Sequence, residues 1–249
     1  MDSFHKLSLE EKADAQKPKK PINVFSIDLQ SVATGKKCND RSPAYICVIG
    51  EDNSTIYETF IKPDRRVVSY TEPYTGIKSS DLDDAPTMSE VTAKLKAYFG
   101  NHPTIVGQDN NFGHTIELMT SLGFEKEKDY KYIAISEWFK LYQGSRGGKY
   151  PYLYFTLDVQ LRALLNKPLS RGLGSKGRAY MNLYNAYKDK DVTDFESAKQ
   201  KCYSMRGYLR KGHKEVPFSE LHPTYEGVCQ GRIPPGQRTA TCPCGTRKW

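Results

Sequence analysis

An acid and an amide stand two residues apart in the run VFSIDLQSV. Strand alternation turns Ser26, Asp28 and Gln30 to one face and Ile27 and Leu29 to the other. Two carboxylates at that spacing can share a metal ion. Asp28 with Gln30 supplies one anion and one neutral oxygen, because Gln has the shape of Glu but no charge and cannot act as a base. A second set of chemically able residues lies near the other end of the chain. Cys229, Cys242 and Cys244, with His222 ahead of them, offer three thiols and an imidazole, a donor set that suits tetrahedral zinc. Their spacing matches no common finger pattern, and free thiols in an unstructured tail are the alternative. A third set places positive charge beside aromatic rings: Lys149-Tyr150, Arg178 near Tyr180, and Arg206 and Arg210 around Tyr208. Such pairs grip single-stranded nucleic acid through phosphate contacts and base stacking.

These residues need a scaffold, and the hydrophobic pattern supplies one. VFSIDLQSV, AYICVIG and STIYETFIKP are three β-rich runs separated by turn residues, the pattern of an antiparallel meander. Thr87 is placed to cap a helix with Met88, Val91, Leu95 and Phe99 on one stripe. TIVGQD reads as a short buried strand, HTIELMTSLGF as a helix ended by Gly123, and YKYIAIS as a further strand. SEWFKLYQ leads into a glycine-rich loop, where the Trp138-Phe139 pair reads as core. Leu157, Leu161 and Leu164 line a helix in TLDVQLRALLN, RAYMNLYNAYK is another, and ESAKQKCYSMRGYLRK is a basic helix. Strands first, then strands alternating with helices, predict a mixed α/β sheet flanked by helices. Three regions are expected: a flexible basic arm over 1–22, a folded domain over 23–187, and a basic helix with a cysteine-containing tail over 188–249. From His222 onward no periodicity defines an element.

Composition narrows the function classes. The chain has 249 residues, with 37 Lys and Arg against 29 Asp and Glu, a formal net charge of +8 and a pI near 9.0. That excess favours an anionic partner such as nucleic acid, although solubility alone also explains it. No apolar run reaches the roughly 20 residues of a membrane span, and the first 21 residues lack the apolar centre of a secretory signal. The expected location is nucleus or cytoplasm, where the six cysteines stay reduced.

The order of motifs FSIDLQSV, YETFIKP, YTGIKSSDL, IVGQDNNFGHTIEL and TLDVQLRALLNKPL resembles the DEDD-type 3′-to-5′ exonucleases, nearest to the Rex-type branch that processes RNA. The resemblance covers about residues 23–187 and implies a ribonuclease H-like fold. It also implies a site in which four carboxylates hold two divalent cations that stabilise the attacking and leaving oxygens of a phosphodiester. The matching positions here depart from that pattern. The first motif carries Asp28 and Gln30 in place of two acids. The second acid falls on Gly113, or on His114 if one residue is inserted, and Asp109 comes too early. His114 suits a borderline metal better than a hard Mg²⁺ ion. The last acid falls near Lys176, whose charge repels a cation. Asp158, the remaining acid in range, reads as structural.

The expectation is therefore a catalytically inactive exonuclease-like protein that binds RNA or another single-stranded nucleic acid, or acts as a scaffold with protein partners of an RNA-processing or RNA-silencing complex. No cofactor is expected at the exonuclease-like site, and a structural zinc ion is the candidate in the tail. The nucleic-acid contacts are expected from Lys149, Tyr150, Lys176, Arg178, Tyr180, Arg206 and Arg210. The alternatives are an active metal-dependent 3′-to-5′ exonuclease on single-stranded RNA or DNA, and a pure protein-interaction module.

Overall fold

The computed structural model describes residues 23–108, 114–144, 151–212, 224–231 and 242–246. Three strands form the expected meander: β1 (Val24–Ala33), β2 (Arg41–Gly50) and β3 (Thr55–Phe60). Two short strands, β4 (Thr104–Gly107) and β5 (Lys131–Ala134), continue the sheet in the order β3-β2-β1-β4-β5. The meander pairs antiparallel, whereas β1-β4 and β4-β5 pair parallel, so β1 is the central strand of a mixed sheet.

After a one-turn helix α1 (Glu72–Thr75), helix α2 (Met88–Phe99) makes the crossover that a parallel neighbour requires. Its start was legible in the sequence. Thr87 accepts from the Glu90 backbone N–H while Glu90 accepts from that of Thr87, which satisfies two otherwise unpaired donors. Helix α3 spans His114–Ser121, and Gly123 follows at φ 78°. One face of β1, with Phe25, Ile27 and Leu29, packs against Val91, Leu95 and Phe99 of α2 and Leu118 and Met119 of α3. Each such buried side chain contributes on the order of 1.5–3 kcal/mol.

The opposite face of the sheet receives α6 (Ser175–Tyr187), while α4 (Ile135–Phe139), α5 (Leu157–Leu165) and α7 (Val192–Gly212) form a second apolar cluster with it. Trp138 packs against Tyr184 and Phe195 in that cluster, and Phe139 is fully buried. The run expected as a long strand from Tyr130 instead turns helical at Ile135. Its pairing with β4 ends at Ala134, so no ladder partner remains to hold it extended. Two-residue strands β6 (Leu141–Tyr142) and β7 (Tyr152–Leu153) form a small antiparallel ribbon. Ala198 and Cys202 bury α7 in the same cluster as α5 and α6.

The tail also holds an element that periodicity did not reveal. Strands β8 (Thr224–Tyr225) and β9 (Val228–Cys229) form a hairpin whose turn residues Glu226 and Gly227 both have positive φ, 49° and 73°. That is the turn geometry whose usual sequence signal is Asn-Gly or Asp-Gly, and a Glu at the first position hides it.

Candidate functional site

Asp28 sits at the middle of the central strand, 2% exposed, on the face away from α2. The close approach of α6 to this face is made possible by Gly177. A Cβ there would lie 3.2 Å from the Asp28 backbone nitrogen, and the Ser26 hydroxyl donates to the Gly177 carbonyl at 2.6 Å. The start of α6 is thereby pressed onto β1.

Both oxygens of the Asp28 carboxylate face donors from the chain itself. The Gln30 amide donates to one at 2.5 Å, and the Lys176 backbone N–H donates to the other at 3.3 Å. The Gly174 backbone adds a further hydrogen bond. Burial nevertheless raises the Asp28 carboxyl above its ordinary range; the Lys176 charge and the hydrogen bonds from Gln30, Lys176 and Gly174 pull the other way. The positive end of α6 points at the acid, so helix dipole and ammonium together occupy the electrostatic role of a cation. Across the sheet, Asp28 pairs with Cys47 and Cys47 with Glu58, which accepts the Tyr45 hydroxyl at 2.6 Å. Burial, with the Glu58 carboxylate adding, pushes the Cys47 thiol up to about 11, so it stays protonated at neutral pH.

No family model matches the sequence. Curated relatives and solved structures do. RNA exonuclease 4 of Mycosarcoma maydis is 31% identical over 84 residues, 33% of this chain and 22% of that protein. Small RNA degrading nuclease 2 of Arabidopsis thaliana is 29% identical over 118 residues, 43% of this chain and 24% of that protein. The matched stretches thus span less than a quarter of these relatives. Among solved structures, the Saccharomyces cerevisiae Pan2 pseudoubiquitin hydrolase–RNA exonuclease module in complex with RNA superimposes with a TM-score of 0.55. It is 16% identical and covers 82% of this chain and 34% of that one. An exonuclease I structure superimposes at 0.50 with 14% identity, over 72% of this chain and 44% of that one.

Over about a third of its length the chain is thus similar in sequence to RNA exonucleases, and it shares the fold of exonuclease structures. Its sheet and flanking helices form the ribonuclease H-like fold of those structural neighbours.

The two-cation centre of such enzymes can be tested against the residues around Asp28. Gln30 turns its amide nitrogen, not an oxygen, toward the acid. Lys176 stands beside Asp28, close enough for its charge to act on the carboxylate. Among the described residues, no group of three or more ligating side chains includes Asp28. These described residues do not fit a pair of hard divalent ions, which need several oxygen ligands to replace their hydration shells. Gly113 and Asp109 lie outside the described residues, as does the side chain of His114. Asp158 is accounted for locally: it accepts from Arg162 at 2.8 Å and from the Leu169 backbone N–H at 2.9 Å, joining α5 to the segment that follows it.

The nucleic-acid candidates divide in the same way. Lys149 and Tyr150 lie outside the described residues, as does the side chain of Arg210. Lys176 and Arg178 share the start of α6, and Arg178 donates to the Thr55 hydroxyl at 3.0 Å, bridging to β3. Tyr180 was expected as a stacking ring; it is buried in the α5–α6–α7 cluster, 8% exposed, because its place on α6 faces the core. A stacking ring must be open to solvent, and this one is not. Arg206 is half-buried on α7. The sequence reading missed the ribbon β6–β7, where Tyr142 and Tyr152 are 60% and 41% exposed with ring centroids 5.5 Å apart. The Lys140 ammonium lies 4.3 Å from the centre of the Tyr152 ring. Only the cross-strand pairing makes these two tyrosines neighbours.

The cysteine group gains a member. Cys229, Cys242 and Cys244 come together with Cys38, from the connection between β1 and β2, and the four sulfurs lie within 4.8 Å of one another. His222, expected as the fourth donor, lies outside the described residues. No helix among the described residues is long and apolar enough to cross a membrane.

Proposed function

We propose that this chain is a noncatalytic member of the exonuclease-like group that binds RNA or another single-stranded nucleic acid, in the nucleus or cytoplasm, as part of an RNA-processing or RNA-silencing complex. The observation that carries this reading is the state of Asp28. Its oxygens are engaged by the Gln30 amide and the first turn of α6, and Lys176 stands where a cation would need an anion. A metal ion would have to displace these donors and approach a fixed positive charge. Accordingly, the reading assigns no cofactor to this cleft.

Binding is supported by other features. The net charge of +8 favours a polyanion, and the exposed tyrosine pair with Lys140 has the makeup of a platform on which bases stack. A structural neighbour of the chain was solved in complex with RNA. Kinship with working nucleases favours the competing reading, an active enzyme that draws ligands from residues 109–114.

Incubating the purified protein with 3′-labelled single-stranded RNA and Mg²⁺ or Mn²⁺ separates the two. The expected outcome is intact RNA together with binding that weakens steeply as salt is raised, as phosphate contacts require. Shortening from the 3′ end that is lost in Asp28→Ala and in Asp109→Ala would refute the noncatalytic reading. Absence of binding at low salt would leave an interaction module.

A further inference from the structure

We propose that Cys38, Cys229, Cys242 and Cys244 form a structural zinc site that fastens the C-terminal segment to the connection between β1 and β2. The sulfur geometry is the first support. A zinc ion with Zn–S bonds of about 2.3 Å places tetrahedral sulfurs about 3.8 Å apart. Here Cys38 and Cys242 are 3.9 Å apart, Cys38 and Cys244 3.7 Å, and Cys242 and Cys244 3.4 Å. These separations are too long for disulfides, whose sulfurs sit about 2 Å apart. Four sulfurs all within 4.8 Å leave room for a single ion.

The surroundings are built to hold thiolates. Gly231 donates its backbone N–H to the Cys229 sulfur at 3.3 Å, and the Cys38 and Thr246 backbones bond to that of Cys244. Such second-layer bonds orient metal-binding sulfurs and stabilise their charge.

Strands β8 and β9 are two residues each, far below what is stable alone, yet Val228, Cys229 and Cys242 are buried. Among the described residues the segment's contacts with the sheet are specific. The Cys229 N–H donates to the Lys36 carbonyl at 2.9 Å, Arg41 donates to the Cys229 carbonyl at 3.0 Å, and Ser69 bonds to Glu226. All of them lead to the same end of the sheet as Cys38. Zinc is favoured over iron because it binds tetrahedral thiolates without redox chemistry in a site whose only evident work is to hold chain segments together.

The test is metal analysis of the full-length protein purified under reducing conditions without chelator. One zinc per chain is expected, falling close to zero in Cys38→Ser and staying at one in Cys202→Ala, whose thiol lies in the α5–α6–α7 cluster instead. Because Cys38→Ser could unfold the protein, a second measurement uses the unaltered chain: cobalt exchange should give the absorption spectrum of a tetrahedral tetrathiolate ion. A chain without metal, one loaded with iron, full zinc in Cys38→Ser, or a cobalt spectrum of six-coordinate oxygen ligation would each overturn the proposal.

Discussion

The middle of β1 and the connection that follows the strand satisfy their buried ionisable groups in different ways. At Asp28 the chain brings its own donors: an amide, backbone N–H groups and the positive end of α6. Just beyond Ala33, Cys38 meets three more thiols, the four sulfurs lying within 4.8 Å of one another. The first site is satisfied by protein groups. The second, under the zinc proposal, would be completed by a metal ion.

The largest expected effect is at the cysteine end. Removing zinc, or replacing Cys229 with Ser, should destabilise the C-terminal segment by more than ~4 kcal/mol, since loss of a structural metal belongs to the severest class of change. Limited proteolysis would register it as rapid cutting between residues 213 and 246 while the sheet stays resistant. At the other end, Gly177→Val should cost on the order of 2–3 kcal/mol, because the added side chain meets β1 at a distance the backbone cannot relax. Thermal melting checks this, and an unchanged midpoint would mean that α6 is less tightly seated than the geometry says.

A sharper comparison rebuilds the acids. Gln30→Glu with Lys176→Asp should lower stability at neutral pH by about 1–2 kcal/mol through carboxylate repulsion, and Mn²⁺ should then raise the melting temperature where it leaves the original chain unmoved. The smallest effect comes from Asp28→Asn. Burial raises the Asp28 carboxyl in the folded state, so the folded protein holds this proton more tightly than the unfolded chain. Its contribution to stability is present below the unfolded value near 3.9 and is lost as pH rises through the higher folded value. Asn removes that loss, and the Gln30 amide can turn its oxygen to the new donor. A gain on the order of 1 kcal/mol at pH 7, with a flatter pH profile above pH 4, is expected in urea unfolding.

Local signals made much of this legible. The alternation of Ile27 and Leu29 against Ser26, Asp28 and Gln30 separated the two faces of β1, and Thr87 marked the start of α2. The resemblance to the exonuclease motifs put Lys176 near the last acid position, and in the structure its backbone N–H reaches the Asp28 carboxylate. What escaped were contacts between distant residues. Cys38 and Cys242 are 204 positions apart, and nothing in either neighbourhood announces the other. Tyr180 looked like a binding ring because Arg178 is near it in sequence, but on α6 the two occupy different faces. The pairing of Tyr142 with Tyr152 depends on a ladder of two residues, too short to leave a periodic trace.

Where this protein can be cut follows from the same end of the sheet. A division after residue 187 separates Cys38, Arg41 and Ser69 from partners that all lie beyond residue 224. It would also strip α7 from the cluster it shares with α5 and α6. The connection after the strand that opens the fold and the segment that follows the last long helix are joined by direct contacts, so a shortened fragment made for crystallisation or binding assays should retain the chain through at least Thr246.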